Sequence, residues 1–194
     1  MRSRMMRLMG WSATILGAVP GVVLWWRWQA GLLGVMPTEV LLHRTGQLAL
    51  FFLMLSLLIG FVHFISGWNA LFGARRPIGL WCFAYAMAHL GIWLVLDQGQ
   101  VAFALAELRS MAHLQLGLLA FLALVPLALS STDAALRRLT VPVWKRVHLL
   151  VWPAAALAVT HAWLVARFEN PVVMAMAGVL AALALTRVLH HLSR

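Results

Sequence analysis

Charge is what this chain has least of. Asp, Glu, Lys and Arg make up only 10% of its 194 residues, against 63% hydrophobic residues and a mean hydropathy of +0.91. A water-soluble domain of that length needs far more polar surface, so the composition excludes that class and marks an integral membrane protein. Cysteine is nearly missing too. Cys82 stands alone, which excludes an internal disulfide or a cysteine-ligated cluster and leaves the redox compartment unspecified. No GxGxxG stretch occurs, so there is no candidate nicotinamide or flavin dinucleotide fold. No soluble domain, long linker, low-complexity tract or internal repeat is visible.

What is present is a series of long apolar runs. Cutting at the charged residues gives spans at about 8–26, 45–66, 77–96, 110–132, 147–166 and 170–187, the second with spare apolar length as far as Ala74. Each approaches the roughly 20 residues that cross a bilayer as a helix, the last marginally. The runs lack the alternation of barrel strands, and backbone groups in lipid must be satisfied within their own segment. The expectation is therefore an all-α six-transmembrane-helix bundle forming a single domain over residues 1–194.

Basic residues give the orientation. With the N-terminus in the cytoplasm, eleven fall inside (Arg2, Arg4, Arg7, Arg75, Arg76, Arg137, Arg138, Lys145, Arg146, Arg187 and Arg194) and four outside (Arg27, Arg44, Arg109 and Arg167). Both termini are then cytoplasmic. The same asymmetry accounts for the sequence pI near 11.9 through topology signals and lipid-headgroup contacts, with no need of nucleic acid. The start "MRSRMMRLMGWSATILGAVPGVVLWW" has the basic head and apolar middle of a signal peptide. It lacks a small-x-small cleavage site and runs on to a tryptophan pair, as an uncleaved first span does.

Histidines are where chemistry enters. An imidazole in hydrocarbon is costly unless something binds it. At about 1.5 Å per helical residue, His89 in span three and His161 in span five are expected at one level toward the outer face. His148 and His63 form an inner layer near the cytoplasmic side, about 20 Å away along the helix. Layered histidines on neighbouring helices suit haem, whose iron takes an imidazole on each face while Leu90, Trp93, Leu157 and Trp163 pack against the macrocycle. With His89 and His161 filling both axial positions, the expected task is electron transfer. On a straight helix the 13 residues from His148 to His161 turn by about 220°, so Pro153 is expected to kink the span and bring both rings inward. For His43 and His113, at the outer interface, a headgroup or loop contact and a functional role stand equally open. His190 and His191 are expected to be solvated.

The order "HRTGQLAL" (43–50), "RRPIGLWCFAYAMAHL" (75–90), "LALSST" (127–132), "WKRVHLLVW" and "THAWLVAR" resembles the haem-binding membrane subunits of periplasmic protein-methionine-sulfoxide reductase systems. This MsrQ family lies within the ferric-reductase-like transmembrane superfamily. The resemblance covers about 41–167. It implies a bacterial inner-membrane protein carrying b-type haem, one or two, and FMN. Electrons would come from the quinone pool or a cytoplasmic flavin reductase and pass to a periplasmic molybdopterin-containing catalytic subunit that reduces methionine sulfoxide. The family's haem histidines fall on His89, His148 and His161. Relatives commonly end the second helix with a Thr-Pro turn where this chain reads "GFVHFISGWN", so His63 is either an added inner ligand opposite His148 or a local substitution. No motif locates FMN; Arg75, Arg76, Arg137, Arg138, Lys145 and Arg146 suit its phosphate or haem propionates but are equally topology signals.

Two rival readings differ in kind. A ferric reductase or NADPH oxidase-like enzyme shares the haem bundle but needs a flavin and nicotinamide domain. A histidine-dependent proton or ion transporter needs no pigment.

Overall fold

The computed structural model describes residues 2–167 and 169–192. The described elements are α1 (Arg2–Gln29), α2 (Pro37–Ser66), α3 (Asn69–Ile92) continued by a π-helical turn (Trp93–Asp97), α4 (Val101–Ser110), α5 (Ala112–Leu129), α6 (Asp133–Arg138), α7 (Val141–His148), α8 (Val151–Val165) and α9 (Pro171–Leu192). Six stretches are long and apolar enough to cross a membrane: Arg4–Gln29, Pro37–Ser66, Gly73–Asp97, Ala112–Leu129, Val141–Val165 and Pro171–Leu189. These are the six expected spans, and the protein is a multi-pass helical membrane protein. Large apolar side chains such as Trp11 and Leu16 are about two-thirds exposed, as lipid-facing residues are. The side chains of His190 and His191, expected to be solvated, lie outside the described residues.

Contacts divide the chain into two compact units, Met1–Ala106 and Glu107–Arg194. In the first, α1 and α2 both pack on α3. The α1 face is a seam of small residues: a Cβ on Gly17 would fall on the Trp81 indole, and one on Gly21 would stand 3.0 Å from the Tyr85 hydroxyl. In lipid, where helix association lacks a hydrophobic drive, such close approach supplies dispersion and interhelical hydrogen bonds. Here both occur. Trp81 Nε1–H donates to the Thr14 carbonyl at 2.9 Å, and the Tyr85 hydroxyl donates to Gly17 at 2.8 Å while accepting from the Gly21 amide at 2.8 Å. On its other side Tyr85 stacks on Phe52 of α2 (centroids 5.5 Å apart, planes 3° apart).

The α2 helix ends without a proline. Gly67 takes φ +64°, and its amide donates to the His63 carbonyl at 2.9 Å. This left-handed cap stops the helix and explains how "GFVHFISGWN" terminates a span.

In the second unit α5 packs on α8, α8 on α9, and α7 touches α5. Ala154 and Ala155 are wholly buried beside Val159 on the α8 face, facing a buried row of Ala120, Leu124 and Leu127 on α5. The fifth span is not one helix. It breaks after His148, and Leu149, Leu150 and Trp152 donate instead to carbonyls three residues back (Arg146, Val147 and Leu149, at 3.1, 3.0 and 3.1 Å). Pro153, expected to kink the span, sits in the first turn of α8, where an amide has no intrahelical partner to lose. The change in winding between His148 and His161 lies at 149–152, one turn before the proline, whose ring crowds the Leu149 carbonyl.

Candidate functional site

His89 lies near the C-terminal end of α3, half-buried, with its ring against α2. Its Nδ1 is 2.9 Å from the Leu42 carbonyl. A carbonyl can only accept, so Nδ1 carries the proton, which in a neutral imidazole puts the lone pair on Nε2. The ring can come this close because Gly46 stands under it: a Cβ there would be 3.0 Å from both Cε1 and Nδ1. Immediately beyond His89 the helix widens into the π-helical turn, with the Gln98 amide reaching back five residues to Trp93 at 3.0 Å. Single π turns of this kind recur at functional sites.

His161 of α8 repeats the arrangement in the second unit. Its Nδ1 is 2.7 Å from the His113 carbonyl on α5, and a Cβ on Gly117 would stand 2.9 Å from Nδ1 and 3.0 Å from Cε1. Acceptor and glycine are again one turn apart on one helix, and Nε2 again carries the lone pair. The His113 ring lies 6.2 Å from that of His161, tilted by 32°. His113, whose role the sequence left open, thus lends its backbone to the site. His43, the equivalent open case, is exposed and 3.7 Å from Glu39.

His148 ends α7 and is held locally. Its Nδ1 lies 3.1 Å from the Trp144 carbonyl, and its ring stacks on the Trp144 indole with centroids 3.9 Å apart. That indole is fixed in turn, since its Nε1–H donates to the Ser130 carbonyl at 3.2 Å. The segments "LALSST" and "WKRVH" therefore meet. His63, in the last turn of α2, is half-buried with Nδ1 sheltered from solvent. One turn before it the Arg75 guanidinium lies along α2, where a Cβ on Gly60 would be 3.3 Å from Cζ.

Three imidazoles thus present the tautomer that ligates through Nε2, each with Nδ1–H fixed by a backbone carbonyl. Among the described residues no group of three or more His, Cys, Asp or Glu gathers around a common point. Within each unit the imidazole donor has half-buried apolar neighbours in sequence, Leu90 and Trp93 after His89 and Leu157 and Trp163 on either side of His161, side chains of the kind that suit a flat metallated macrocycle. Gly46 and Gly117 went unnoticed in the sequence. The available signal was a glycine one turn after an interfacial residue, repeated 71 positions apart; its meaning depends on which ring lands there.

Comparison with known proteins gives the family. Residues 45–159 match the family model described as ferric reductase like transmembrane component. A protein-methionine-sulfoxide reductase heme-binding subunit MsrQ of Xanthomonas oryzae pv. oryzae (strain MAFF 311018) is 37% identical over 169 residues, covering 86% of this chain and 77% of that protein. Proteins of the same name from Xanthomonas euvesicatoria pv. vesicatoria (strain 85-10) and Xanthomonas campestris pv. campestris (strain 8004) are 36% and 37% identical over 179 residues, 91% of this chain and 82% of theirs. No solved structure matches. With more than half of the chain matched by the family model and relatives above one-third identity along most of its length, the chain belongs to the MsrQ family of ferric-reductase-like transmembrane proteins.

Proposed function

We propose that the chain is a haem-binding membrane electron-transfer subunit, with His89, His148 and His161 as haem-iron ligands. The observation that carries this reading is the shared tautomer: three half-buried histidines each spend Nδ1–H on a backbone carbonyl, the arrangement that makes Nε2 a ligand. The relatives' printed name, heme-binding subunit, supports the same cofactor. When bound, b-type haem supplies a one-electron ferric/ferrous couple. The protein's own part is to orient the imidazoles, keep water out with Trp93, Leu157 and Trp163, and place His63 and the Arg75 guanidinium at the cofactor's polar edge.

Within this reading the whole of 1–194 acts as one haem-binding domain in a bacterial inner membrane. Its N- and C-termini are cytoplasmic, as the Lys and Arg bias indicates. Electrons enter from the quinone pool or a cytoplasmic flavin reductase and leave to a periplasmic molybdopterin-containing methionine sulfoxide reductase, which repairs oxidised proteins. The relatives' name supports the sulfoxide reductase as partner, and the chain is then the electron-transfer rather than the catalytic subunit. FMN forms part of the same proposal, with the exposed cations of α6 and α7 (Arg137, Arg138, Lys145 and Arg146) suited to its phosphate.

The test is haem stoichiometry with an optical redox titration of the purified protein. A low-spin spectrum with a sharp reduced α-band is expected. Colourless, folded protein from haem-replete cells would overturn the reading and favour a transporter.

A further inference from the structure

The two units use one device. In the first, the Nδ1–H of His89 reaches the carbonyl of Leu42, and Gly46 leaves room for the ring. In the second, His161 reaches the carbonyl of His113, and Gly117 leaves the room. Acceptor and glycine are four residues apart in each case, and the histidine follows its acceptor by 47 positions in one unit and 48 in the other. Four residues is one helical turn, so the carbonyl and the bare Cα lie one above the other on the same helix face.

We infer that Gly46 and Gly117 are positioning residues, each forming with the carbonyl one turn before it a cradle that fixes the tautomer and rotation of a ligand imidazole. The inference rests on the haem reading and deepens it. A helix carbonyl already accepts from the amide four residues on, and its second lone pair is what the imidazole takes. That lone pair is normally fenced by the Cβ of the residue one turn later. Glycine removes the fence, so the ring edge can lie on the backbone with Nδ1–H pointing at the oxygen.

Small-residue packing alone would explain a glycine facing another helix. It does not explain why, in both units, the atoms over the glycine are Nδ1 and Cε1 of a histidine whose proton goes to the carbonyl one turn away. An alanine would put its methyl 2.9 to 3.0 Å from those ring atoms, so the ring must move by a few tenths of an ångström. A bond of 2.7 or 2.9 Å is stretched or misaligned by such a shift. The hydrogen-bonded Nδ1–H pushes electron density toward Nε2 and favours ferric iron, so losing the bond weakens the ligand and raises the midpoint potential.

The test has a part that needs no haem. In ¹⁵N-histidine NMR of the haem-free protein in nanodiscs, His89 and His161 should each show a hydrogen-bonded Nδ1–H. The Nε2–H tautomer at both would overturn the cradle in the wild-type chain itself. Gly46→Ala and Gly117→Ala should each lose that signal at the matching histidine only. In titrations with haem, each should bind about 10-fold to 100-fold more weakly, the usual cost of disturbing a ligand's hydrogen-bond partner, with a raised midpoint potential. Gly178→Ala, in α9 with open space around its Cα, should leave all readouts unchanged. Wild-type haem affinity and potential in both glycine variants would overturn the inference while leaving the haem reading intact. A wild-type chain that shows the Nδ1–H signals yet binds no haem would overturn the haem reading and leave the cradle standing.

Discussion

Tyr85 bridges one turn of another helix: its hydroxyl accepts from the Gly21 amide and donates to the Gly17 carbonyl four residues earlier, each at 2.8 Å. Pro20 beside it removes one amide donor from the same turn. Both backbone groups remain satisfied, which lipid demands.

Tyr85→Phe should therefore loosen α1 without unfolding it. The Gly21 amide and Gly17 carbonyl can still bond each other along α1, so the net cost is that of one or two interhelical hydrogen bonds, about 1–2 kcal/mol. Detergent-denaturation midpoints check this, with haem content expected to hold. A variant as resistant as wild type would mean the bridging hydroxyl contributes nothing to docking.

His161→Ala should lose its haem while the six spans still insert. Insertion follows apolar length, and exchanging one imidazole for a methyl only raises the hydropathy of α8. Haem per protein and protease protection, measured on the same membranes, separate the two effects. His89→Ala should behave alike; undiminished haem in either would strike that residue from the ligands.

For His148 the informative change is Trp144→Phe, which keeps a ring to stack on and deletes the indole N–H that reaches Ser130. Losing one such bond, about 1 kcal/mol, corresponds to roughly a five-fold weaker hold on the ring. The expected readout is a spectral or potential shift confined to one haem population. A uniform response, or none, would count against His148 as a separate ligand.

His63→Ala should leave haem stoichiometry and the low-spin spectrum unchanged and move only the potential, as suits a residue at the cofactor's edge beside Arg75. Loss of a haem equivalent would instead make His63 an inner ligand.

Withholding haem during growth should yield inserted, helical protein with a lower melting midpoint. Ligand present at about 100 times its dissociation constant stabilises the native state by roughly 2.7 kcal/mol, and that contribution vanishes without it. Equal midpoints for haem-free and haem-loaded protein would show that the histidines bear no linked stability.

Six spans and the helical class were legible in the chain, and the histidines stood out there as candidates, because transfer into lipid is a sum over residues that are neighbours in sequence. An apolar run of sufficient length needs no partner to declare itself, and an imidazole in hydrocarbon stands out by its own cost. Tertiary structure alone decided what those histidines touch. Leu42 and His113 act through backbone carbonyls, which every residue possesses, so no residue type marks them. Gly46 and Gly117 matter only because a ring from another helix comes to rest on them. Pro153 is visible in the sequence as a point where the fifth span can unwind, but the three-residue winding at Leu149 and Leu150, one turn before it, is visible only in the structure.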